Sequence, residues 1–560
     1  MPVYRSLFLA ALAIATCASA AKGADNGPVR TTANGQVRGI QIGPTEVYMG
    51  IPYAAPPLGP LRWREPQPAA NWTGLRDATR PSNACLQAKY GLGPFIEPIA
   101  AAYSVSYQKQ PVASSEDCLY LNVWTPRAAT GANLPVMVWL HGGSNRLGSG
   151  AQSIYDGRSL VSHGVVLVTL NYRLGILGFF AHPELSRESA HHSSGNYALL
   201  DQLQALRWVQ QNIAQFGGDP RNVTLFGESA GSIDAGMLVV SPLSSDLFQR
   251  AILESGPPFG LGTPPTLAHA ESVGIAVGQA AAAGSSSSIA SLRQLPPEQL
   301  TALQNKVVAD RFKGFDSGSA VVDGWVLPHT PAQIEASGKA EPVDVMVGIN
   351  GRELSAFRLA AAALAKSGAN PAPAASPMQA IESLAAMARP LYGAWTDVAI
   401  AVNVGKILVG HDAAVDQASN DMVMACPVGA LAALTASGGR HAFVYRFDRS
   451  IAGSGEGQVG AFHSLELAYV FNTFGDPPWA WLPFSQEDRQ LSAVIETYWT
   501  NFAKTGDPNA PGLARWESWT PAVEPFLEFD HEGQTKAQHG FSPPFCHLDS
   551  ARLRKQLSEP

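Results

Sequence analysis

Short runs of apolar residues, without polar residues at alternate positions, recur along the chain. Such runs are typical of strands buried on both faces, as in a parallel sheet covered by helices on its two sides. Between two runs, residues 197–216 carry large apolar side chains at helical spacing, which predicts a crossover helix packed on the sheet. We therefore expect an α/β fold with a mostly parallel central sheet. The predicted strands are 136–140, 165–170, 223–226, 250–253, 343–348 and 443–447.

Two segments interrupt this pattern. Residues 279–288 are rich in alanine and serine, and residues 359–380 are rich in alanine and contain three prolines. Both compositions predict flexible insertions. Two interpretations are open for the second segment, which is either part of a lid or a solvated surface insertion. Because no internal repeat and no clear linker divides the chain, residues 21–560 are predicted to form a single domain.

The N-terminus has the pattern of an export signal. Arg5 supplies a positive charge, residues 7–15 are apolar, and Ala18-Ser19-Ala20 fits the small-residue cleavage pattern. We predict a signal peptide at 1–20 with cleavage after Ala20, and hence a periplasmic or secreted protein. The apolar segment is shorter than the ~20 residues of a membrane-spanning helix, and no later stretch is long and apolar enough for one.

Four cysteines follow the predicted signal peptide, an even number that suggests two disulfides in an exported protein. They allow three pairings, of which sequence proximity favours Cys85 with Cys118 and Cys426 with Cys546. No C-x-x-C or H-E-x-x-H spacing supports a metal site, so neither a metal nor an organic cofactor is expected. The net charge of -7 and the lack of a basic stripe argue against nucleic acid as a partner.

The residues Gly-Glu-Ser-Ala-Gly at 227–231 follow the predicted strand 223–226 and precede a possible helix. This is the strand, sharp turn and helix of a nucleophile elbow. The strained turn exposes the central hydroxyl, and small flanking residues allow the helix to approach the strand closely. Ser229 is therefore the candidate nucleophile. Because the five-residue pattern also occurs in ordinary glycine turns, its partners decide the matter.

An activated serine needs a base, and the base needs a group that orients it. Glu353 follows the predicted strand 343–348, and His463 follows the predicted strand 443–447, both at expected loop positions. In the hydrolase fold the chain order is serine, acid, histidine. The sequence thus predicts a triad of Ser229, Glu353 and His463.

Five further segments resemble the type-B carboxylesterases, a family that includes cholinesterases and bacterial para-nitrobenzyl esterases. The resemblance runs from about Val29 to the C-terminal region. It implies an α/β-hydrolase fold with large loop and helical insertions around an active-site gorge, and hydrolysis of carboxylic esters through an acyl-enzyme. The segments are Gly-Ile-Pro-Tyr-Ala (50–54), Glu-Asp-Cys-Leu-Tyr-Leu-Asn (116–122), Asn-Tyr-Arg-Leu-Gly (171–175), Phe-Gly-Gly-Asp-Pro (216–220) and Phe-Ala-Lys-Thr-Gly-Asp-Pro-Asn (502–509).

The resemblance assigns the same triad and the same two cysteine pairs, and it implies an electrostatic contribution from Glu228. Residues 141–145, His-Gly-Gly-Ser-Asn, align with the family's H-G-G-G-aromatic loop. An oxyanion hole needs oriented backbone N–H groups. The alignment implies that Gly143, Ser144 and Ala230 donate them.

Four positions depart from the family pattern. Ser144 replaces the third glycine of the loop, and Asn145 replaces the aromatic residue. If position 144 requires a glycine-like backbone conformation, a serine there costs about 1 kcal/mol or more. Alternatively, its hydroxyl adds a donor. Leu354 stands where the family usually has glycine, and Asp234 where a small polar residue is common.

The resemblance also bears on the substrate. A cholinesterase is expected to carry a tryptophan between Cys85 and Cys118 that binds the quaternary ammonium group, and this interval has none. A general carboxylic ester hydrolase acting on a small-molecule ester is therefore expected. Amide, carbamate or lactone substrates are alternatives, as is a non-catalytic cholinesterase-like binding protein. The sequence leaves open whether the protein is a monomer or a homodimer.

Overall fold

A computed structural model of the chain describes residues 27–260, 263–282, 288–311, 316, 318–367, 415–544 and 546, with isolated residues between 381 and 401. The predicted signal peptide at 1–20 and residues 368–380 of the second predicted insertion lie outside them. No helix among the described residues is long and apolar enough to cross a membrane.

The strands among the described residues belong to three sheets. They are β1 Val29–Thr32, β2 Gly35–Arg38, β3 Ile40–Ile42, β4 Thr45–Pro52, β5 Leu75–Asp77, β6 Ala84–Cys85, β7 Ser114–Ser115, β8 Tyr120–Pro126, β9 Leu134–Leu140, β10 Val166–Leu170, β11 Gly218–Glu228, β12 Arg250–Glu254, β13 Asp344–Asn350, β14 Ala442–Phe447, β15 Phe526–Phe529 and β16 Thr535–Gln538. An eleven-stranded sheet forms the centre of the molecule, in the order β16-β15-β14-β13-β12-β11-β9-β10-β8-β4-β3, and all six predicted strands are present in it. β1, β2 and β5 form a three-stranded sheet, and β6 and β7 form a two-stranded one.

The strands from β10 through β9, β11, β12, β13 and β14 to β15 pair in parallel, whereas β3, β4, β8 and β16 pair antiparallel at the two edges. The central strands are buried on both faces. In β9, Val138 packs in one apolar cluster, and Met137 and Trp139 pack in the other. This two-sided burial is the physical reason for the uninterrupted apolar runs.

Helices cover both faces of the sheet, and the predicted crossover helix is α5, followed directly by a 3-10 turn at Ile213–Phe216. The main α-helices of the described residues follow in chain order. They are α1 Gly93–Ala102, α2 Arg158–Ser162, α3 Gly175–Phe179, α4 Pro183–Glu188, α5 Tyr197–Asn212, α6 Ala230–Val240, α7 Leu267–Ala282, α8 Ile289–Leu292, α9 Pro297–Arg311, α10 Pro331–Ala336, α11 Glu353–Ser367, α12 Cys426–Ser437, α13 Glu456–Val459, α14 Leu467–Val470 and α15 Gln486–Thr505.

The two predicted insertions begin as helix. Residues 279–282 are the end of α7, residues 283–287 lie outside the described part, and residues 359–367 belong to α11. The structure contains the cysteine pairs that proximity favoured. Cys85 is bonded to Cys118, and Cys426 is bonded to Cys546 across a separation of 120 residues.

Candidate active site

A sharp turn connects β11 to α6 at Ser229. The strand ends at Glu228 and the helix begins at Ala230, and Ser229 between them has a φ of 55° and a ψ of -123°. A non-glycine residue in such a conformation costs about 1–3 kcal/mol, which the surroundings must offset. The Ser229 backbone N–H donates to the carbonyl oxygen of Glu254 at the end of the neighbouring strand, at 2.9 Å. The predicted strand, turn and helix are therefore present.

The two glycines of the motif permit this turn through close packing. A Cβ atom on Gly231 would lie 2.1 Å from the carbonyl oxygen of Leu140, which ends β9. A Cβ atom on Gly227 would lie 2.6 Å from the backbone of Gly231. Any larger residue would push α6 away from the sheet, so both positions require glycine.

His463 and Glu353 lie together behind this turn. Nδ1 of His463 lies 2.6 Å from Oε2 of Glu353, and both side chains are buried. Oε1 of Glu353 accepts a hydrogen bond from the backbone N–H of Asn350, at 2.6 Å. Glu353 was predicted to lie in a loop after a strand, but it is the first residue of α11, three residues beyond the end of β13. The contact with Glu353 orients the imidazole, so that Nε2 faces away from Glu353.

Nε2 of His463 faces Glu228. It lies 3.0 Å from Oε1 of Glu228, yet it has no hydrogen-bond partner of suitable geometry among the described residues. The same carboxylate oxygen accepts a hydrogen bond from the hydroxyl of Ser464, at 2.6 Å. Ser464 itself has a φ of 70°, which is uncommon outside glycine. The imidazole is thus held between two carboxylates, and Glu228 is fixed by a neighbour of His463.

This arrangement changes the acidity of the imidazole. Burial alone lowers the pKa of His463, but the negative charges of Glu228 and Glu353 outweigh it and raise the pKa to about 9. Burial raises the pKa of Glu228, against the opposing effect of the imidazolium. The cluster therefore favours a proton on His463 in the resting protein.

Two more buried carboxyl groups lie near this pair, and neither was predicted. Glu254 accepts a hydrogen bond from the indole N–H of Trp499 at 2.8 Å, and burial raises its pKa to about 8. Glu466 accepts hydrogen bonds from the amide of Asn350 and the hydroxyl of Ser255, and burial raises its pKa well above the usual range. The only sequence signal was a glutamate at the end of an apolar run, and another three residues after His463.

The loop predicted to form the oxyanion hole lies directly against Ser229. A Cβ atom on Gly142 would lie 3.1 Å from Cβ of Ser229. The next three residues have positive φ angles: 111° at Gly143, 54° at Ser144 and 54° at Asn145. Position 144 therefore has the glycine-like backbone conformation at which a serine costs free energy.

Ala230 is the first residue of α6, where backbone N–H groups have no partner within the helix. The structure therefore brings the three predicted donors, Gly143, Ser144 and Ala230, to the vicinity of one hydroxyl. They come from two separate elements, the loop after β9 and the N-terminus of α6.

Two cavities, of about 130 Å³ and 290 Å³, lie beside the candidate nucleophile. Ser229, Phe357 and His463 line both of them. The first also contains Gly142, Gly143, Ser144, Glu228 and Ser464, with apolar walls from Leu92, Phe95, Ile96, Leu467 and Trp479. The second is bounded by Ile233, Pro257, Phe259, Leu354, Val423 and Met424. Leu354, a departure from the family pattern, thus forms part of an apolar wall.

Within the described part of the chain, no group of three or more histidine, cysteine, aspartate or glutamate side chains is arranged to hold a metal ion. The buried glutamates around His463 instead bond to protein N–H and O–H groups. The arrangement combines a serine on a strained turn, an imidazole oriented by a carboxyl group, and the loop at Gly142, Gly143 and Ser144, all bordering one largely apolar cavity.

Comparison with known proteins gives a consistent result. A sequence model described as the Carboxylesterase family matches residues 26–546. Fumonisin B1 esterase of Sphingopyxis macrogoltabida is 43% identical over 332 residues, covering 59% of this chain and 57% of that esterase. Human cocaine esterase is 34% identical over 87% of this chain and 85% of its own length.

A solved structure gives the same picture for the fold. The carboxylesterase of Geobacillus stearothermophilus has a TM-score of 0.76 and 29% identity, covering 95% of this chain and all of that one. The fold is therefore that of an α/β hydrolase. With the family model matching almost the whole chain, the protein belongs to the carboxylesterase family and is a carboxylic ester hydrolase.

Proposed function

We propose that Ser229 is the nucleophile of this hydrolase, His463 the general base and acid, and Glu353 the residue that orients the imidazole. The observation that carries the proposal is the 2.6 Å contact between Nδ1 of His463 and Glu353, beside a cavity that Ser229 also lines. In an activated serine the acid holds the base in one tautomer by a contact of this kind.

The reaction proceeds in two halves. His463 takes the hydroxyl proton through Nε2 as Oγ of Ser229 bonds to the ester carbonyl carbon. The resulting oxyanion is stabilised by the backbone N–H groups of Gly143, Ser144 and Ala230. His463 then gives its proton to the departing alcohol, leaving an acyl-enzyme. Water repeats the sequence, so that one ester and one water yield one acid and one alcohol.

Glu228 assists by stabilising the imidazolium. Its carboxylate lies 3.0 Å from Nε2, where charge develops as the proton is taken. Nε2 has no hydrogen-bond partner of suitable geometry among the described residues, so proton transfer requires the hydroxyl of Ser229 and the imidazole to move into contact. Both side chains border the same open cavity, which leaves room for that movement.

We propose that the substrate is a small-molecule ester with largely apolar groups on both sides of the scissile bond. The two cavities supply one apolar chamber for each side, and Ser229 lines both. Similar chains carry the names fumonisin B1 esterase, cocaine esterase and pyrethroid hydrolase, three quite different substrates. Because pocket shape decides among such substrates, the apolar walls are the basis for this choice.

We also propose that the protein is exported, with residues 1–20 removed and residues 21–560 acting as one domain. Support comes from the two disulfides, since such bonds form and persist in oxidising compartments. The predicted cleavage after Ala20 is tested by sequencing the N-terminus of the mature protein.

The test of the catalytic proposal is hydrolysis of para-nitrophenyl esters from acetate to long acyl chains by the unmodified protein and by Ser229→Ala. Loss of a triad serine lowers kcat by about 10⁶-fold in well-studied cases, so the variant should fall to background. Ser272→Ala, a change to an exposed serine on α7, is the matched control and should leave the rates unaltered.

An organophosphonate probe followed by mass spectrometry locates the reactive residue. The unmodified protein should be labelled at Ser229, and Ser229→Ala should not be labelled. Hydrolysis through an acyl-enzyme that persists in Ser229→Ala would overturn the assignment.

A further inference from the structure

Two departures from the family pattern, Asn145 and Asp234, contact each other although they lie 89 residues apart. The side-chain amide of Asn145 donates to Oδ1 of Asp234 at 3.0 Å and to the carbonyl oxygen of Gly318 at 2.8 Å. The side-chain oxygen Oδ1 of Asn145 lies 3.1 Å from the hydroxyl of Tyr172. Asn145 is 3% exposed, so these contacts replace water completely.

Asp234 is fixed by a second partner. It lies on α6, one turn after Ala230, and is fully buried. Its Oδ2 accepts a hydrogen bond from the side chain of Gln202 on α5, at 2.6 Å. Because α5 packs on the sheet, Asp234 provides a rigid attachment point for the loop that carries Asn145.

The connection joins the two elements that carry the proposed oxyanion donors. Asn145 ends the run of three positive φ angles that begins at Gly143, and Asp234 belongs to the helix that begins at Ala230. Left-handed conformations at serine and asparagine cost free energy and persist only when surrounding contacts impose them. The hydrogen bonds of Asn145 are contacts of this kind.

We propose that Asn145 and Asp234 act as a pair of positioning residues that set the distance between the loop donors, Gly143 and Ser144, and the helix donor, Ala230. Neither side chain borders the two cavities, so the pair acts through the backbone and not on the substrate. This inference rests on the proposed roles of Ser229 and the three donors.

The pair should affect the transition state more than the ground state, because the oxyanion forms only after attack. Removal of one oxyanion donor costs about 10²–10³-fold in kcat, and a displaced donor costs less. We therefore expect Asn145→Ala and Asp234→Ala each to lower kcat by about 10–100-fold, with KM changed less than about threefold. The double variant should be no worse than the poorer single variant, since either change breaks the same connection.

The matched conservative variant is Asp234→Asn. Its amide oxygen can still accept from Asn145, and Gln202 can turn its own unpartnered side-chain oxygen toward the new amide group. This variant should retain kcat within about threefold of the unmodified protein. If the alanine variants do not fold, Asn145→Ser replaces them as the variant that breaks the hydrogen bond to Asp234, and Asp234→Asn is the variant that keeps it.

The experiment measures kcat, KM and the affinity of a trifluoromethyl ketone, which forms an oxyanion on the serine, with an organophosphonate probe to count reactive sites. Unchanged kcat in folded Asn145→Ala or Asn145→Ser overturns the positioning role. Additive losses in the double variant also overturn it. If the unmodified protein is neither active nor labelled at Ser229, the proposed function has failed instead, so the two failures are distinguishable.

Discussion

Replacement of Glu228 by glutamine tests the electrostatic character of the site. The substitution keeps the shape of the side chain and removes its charge. In the unmodified protein, Glu228 and Glu353 raise the pKa of His463 to about 9 against the opposing effect of burial. Since a base must be unprotonated, kcat/KM should rise with pH through the pKa of the free enzyme.

The magnitude follows from the contact distance. Unit charges 3.0 Å apart attract by about 5.5 kcal/mol at an effective dielectric constant of 20. This would correspond to about 4 pH units at 1.36 kcal/mol per unit. The net effect is smaller than that, because burial of both side chains opposes their charged forms. We expect Glu228→Gln to lower the pKa of His463 by about 1–3 units.

Loss of the Glu228 charge lowers the pKa of His463. A carboxylate stabilises the imidazolium, so its removal makes the imidazole lose its proton at a lower pH. The rising limb of kcat/KM should therefore move to lower pH in Glu228→Gln. The plateau above that limb should fall, because the same carboxylate stabilises the imidazolium that forms during attack.

The assay is the pH dependence of kcat/KM for a phenyl ester, monitored by release of phenol, with circular dichroism to confirm folding at each pH. Glu97→Gln is the matched control, since Glu97 pairs with Lys109 at the surface on α1. Its profile should coincide with that of the unmodified protein. If the limb of Glu228→Gln also coincides, then Glu228 does not control the charge of His463 and the reasoning is wrong.

Two further predictions concern the loop and the disulfides. Ser144→Gly should lower kcat, because the cavity loses a hydroxyl and the loop gains conformational freedom; identical kinetics would show that the serine has no special role. The free energy of unfolding should change by less than about 1 kcal/mol, because relief of backbone strain at a φ of 54° offsets the added entropy of the unfolded chain. Replacing Cys426 and Cys546 with serine should destabilise the protein by about 5 kcal/mol, against about 4 kcal/mol for Cys85 and Cys118, because the first pair closes a longer loop. Urea midpoints would give the order, and a larger loss for the shorter loop would contradict the entropic explanation.

The central strands and the elbow were predictable because their packing requirements restrict the residue types at consecutive positions of the sequence. Apolar runs such as 136–140 reflect burial on two faces, and the glycines flanking Ser229 reflect a close approach to Leu140. The antiparallel edge strands were not predicted. β3 and β16 are short and partly exposed, whereas β4 and β8 are largely buried but contain polar residues such as Glu46 and Asn122, which interrupt an apolar run.

Other parts of the site depend on contacts between distant residues. Glu254 lies in a strand that was predicted from its apolar run, but its burial is intelligible only with Trp499, which is 245 residues away. The sequence marked Asn145 and Asp234 as separate departures and contained nothing to show that they are bonded. The hydrogen-bond partners of buried polar side chains are determined by the three-dimensional packing, so the hydrophobic periodicity of the sequence does not predict them.

The proposed reactive groups follow the carboxyl ends of parallel strands of one sheet, with the loop after β9, Ser229 after β11 and Glu353 after β13. Part of the cavity wall comes from other segments, including Phe95 on α1 and Trp479 in a loop. Insertions and substitutions in those outer segments can reshape the chambers without altering the register of the sheet. Substitutions in these outer segments can therefore change the substrate selectivity while the proposed reactive residues stay the same.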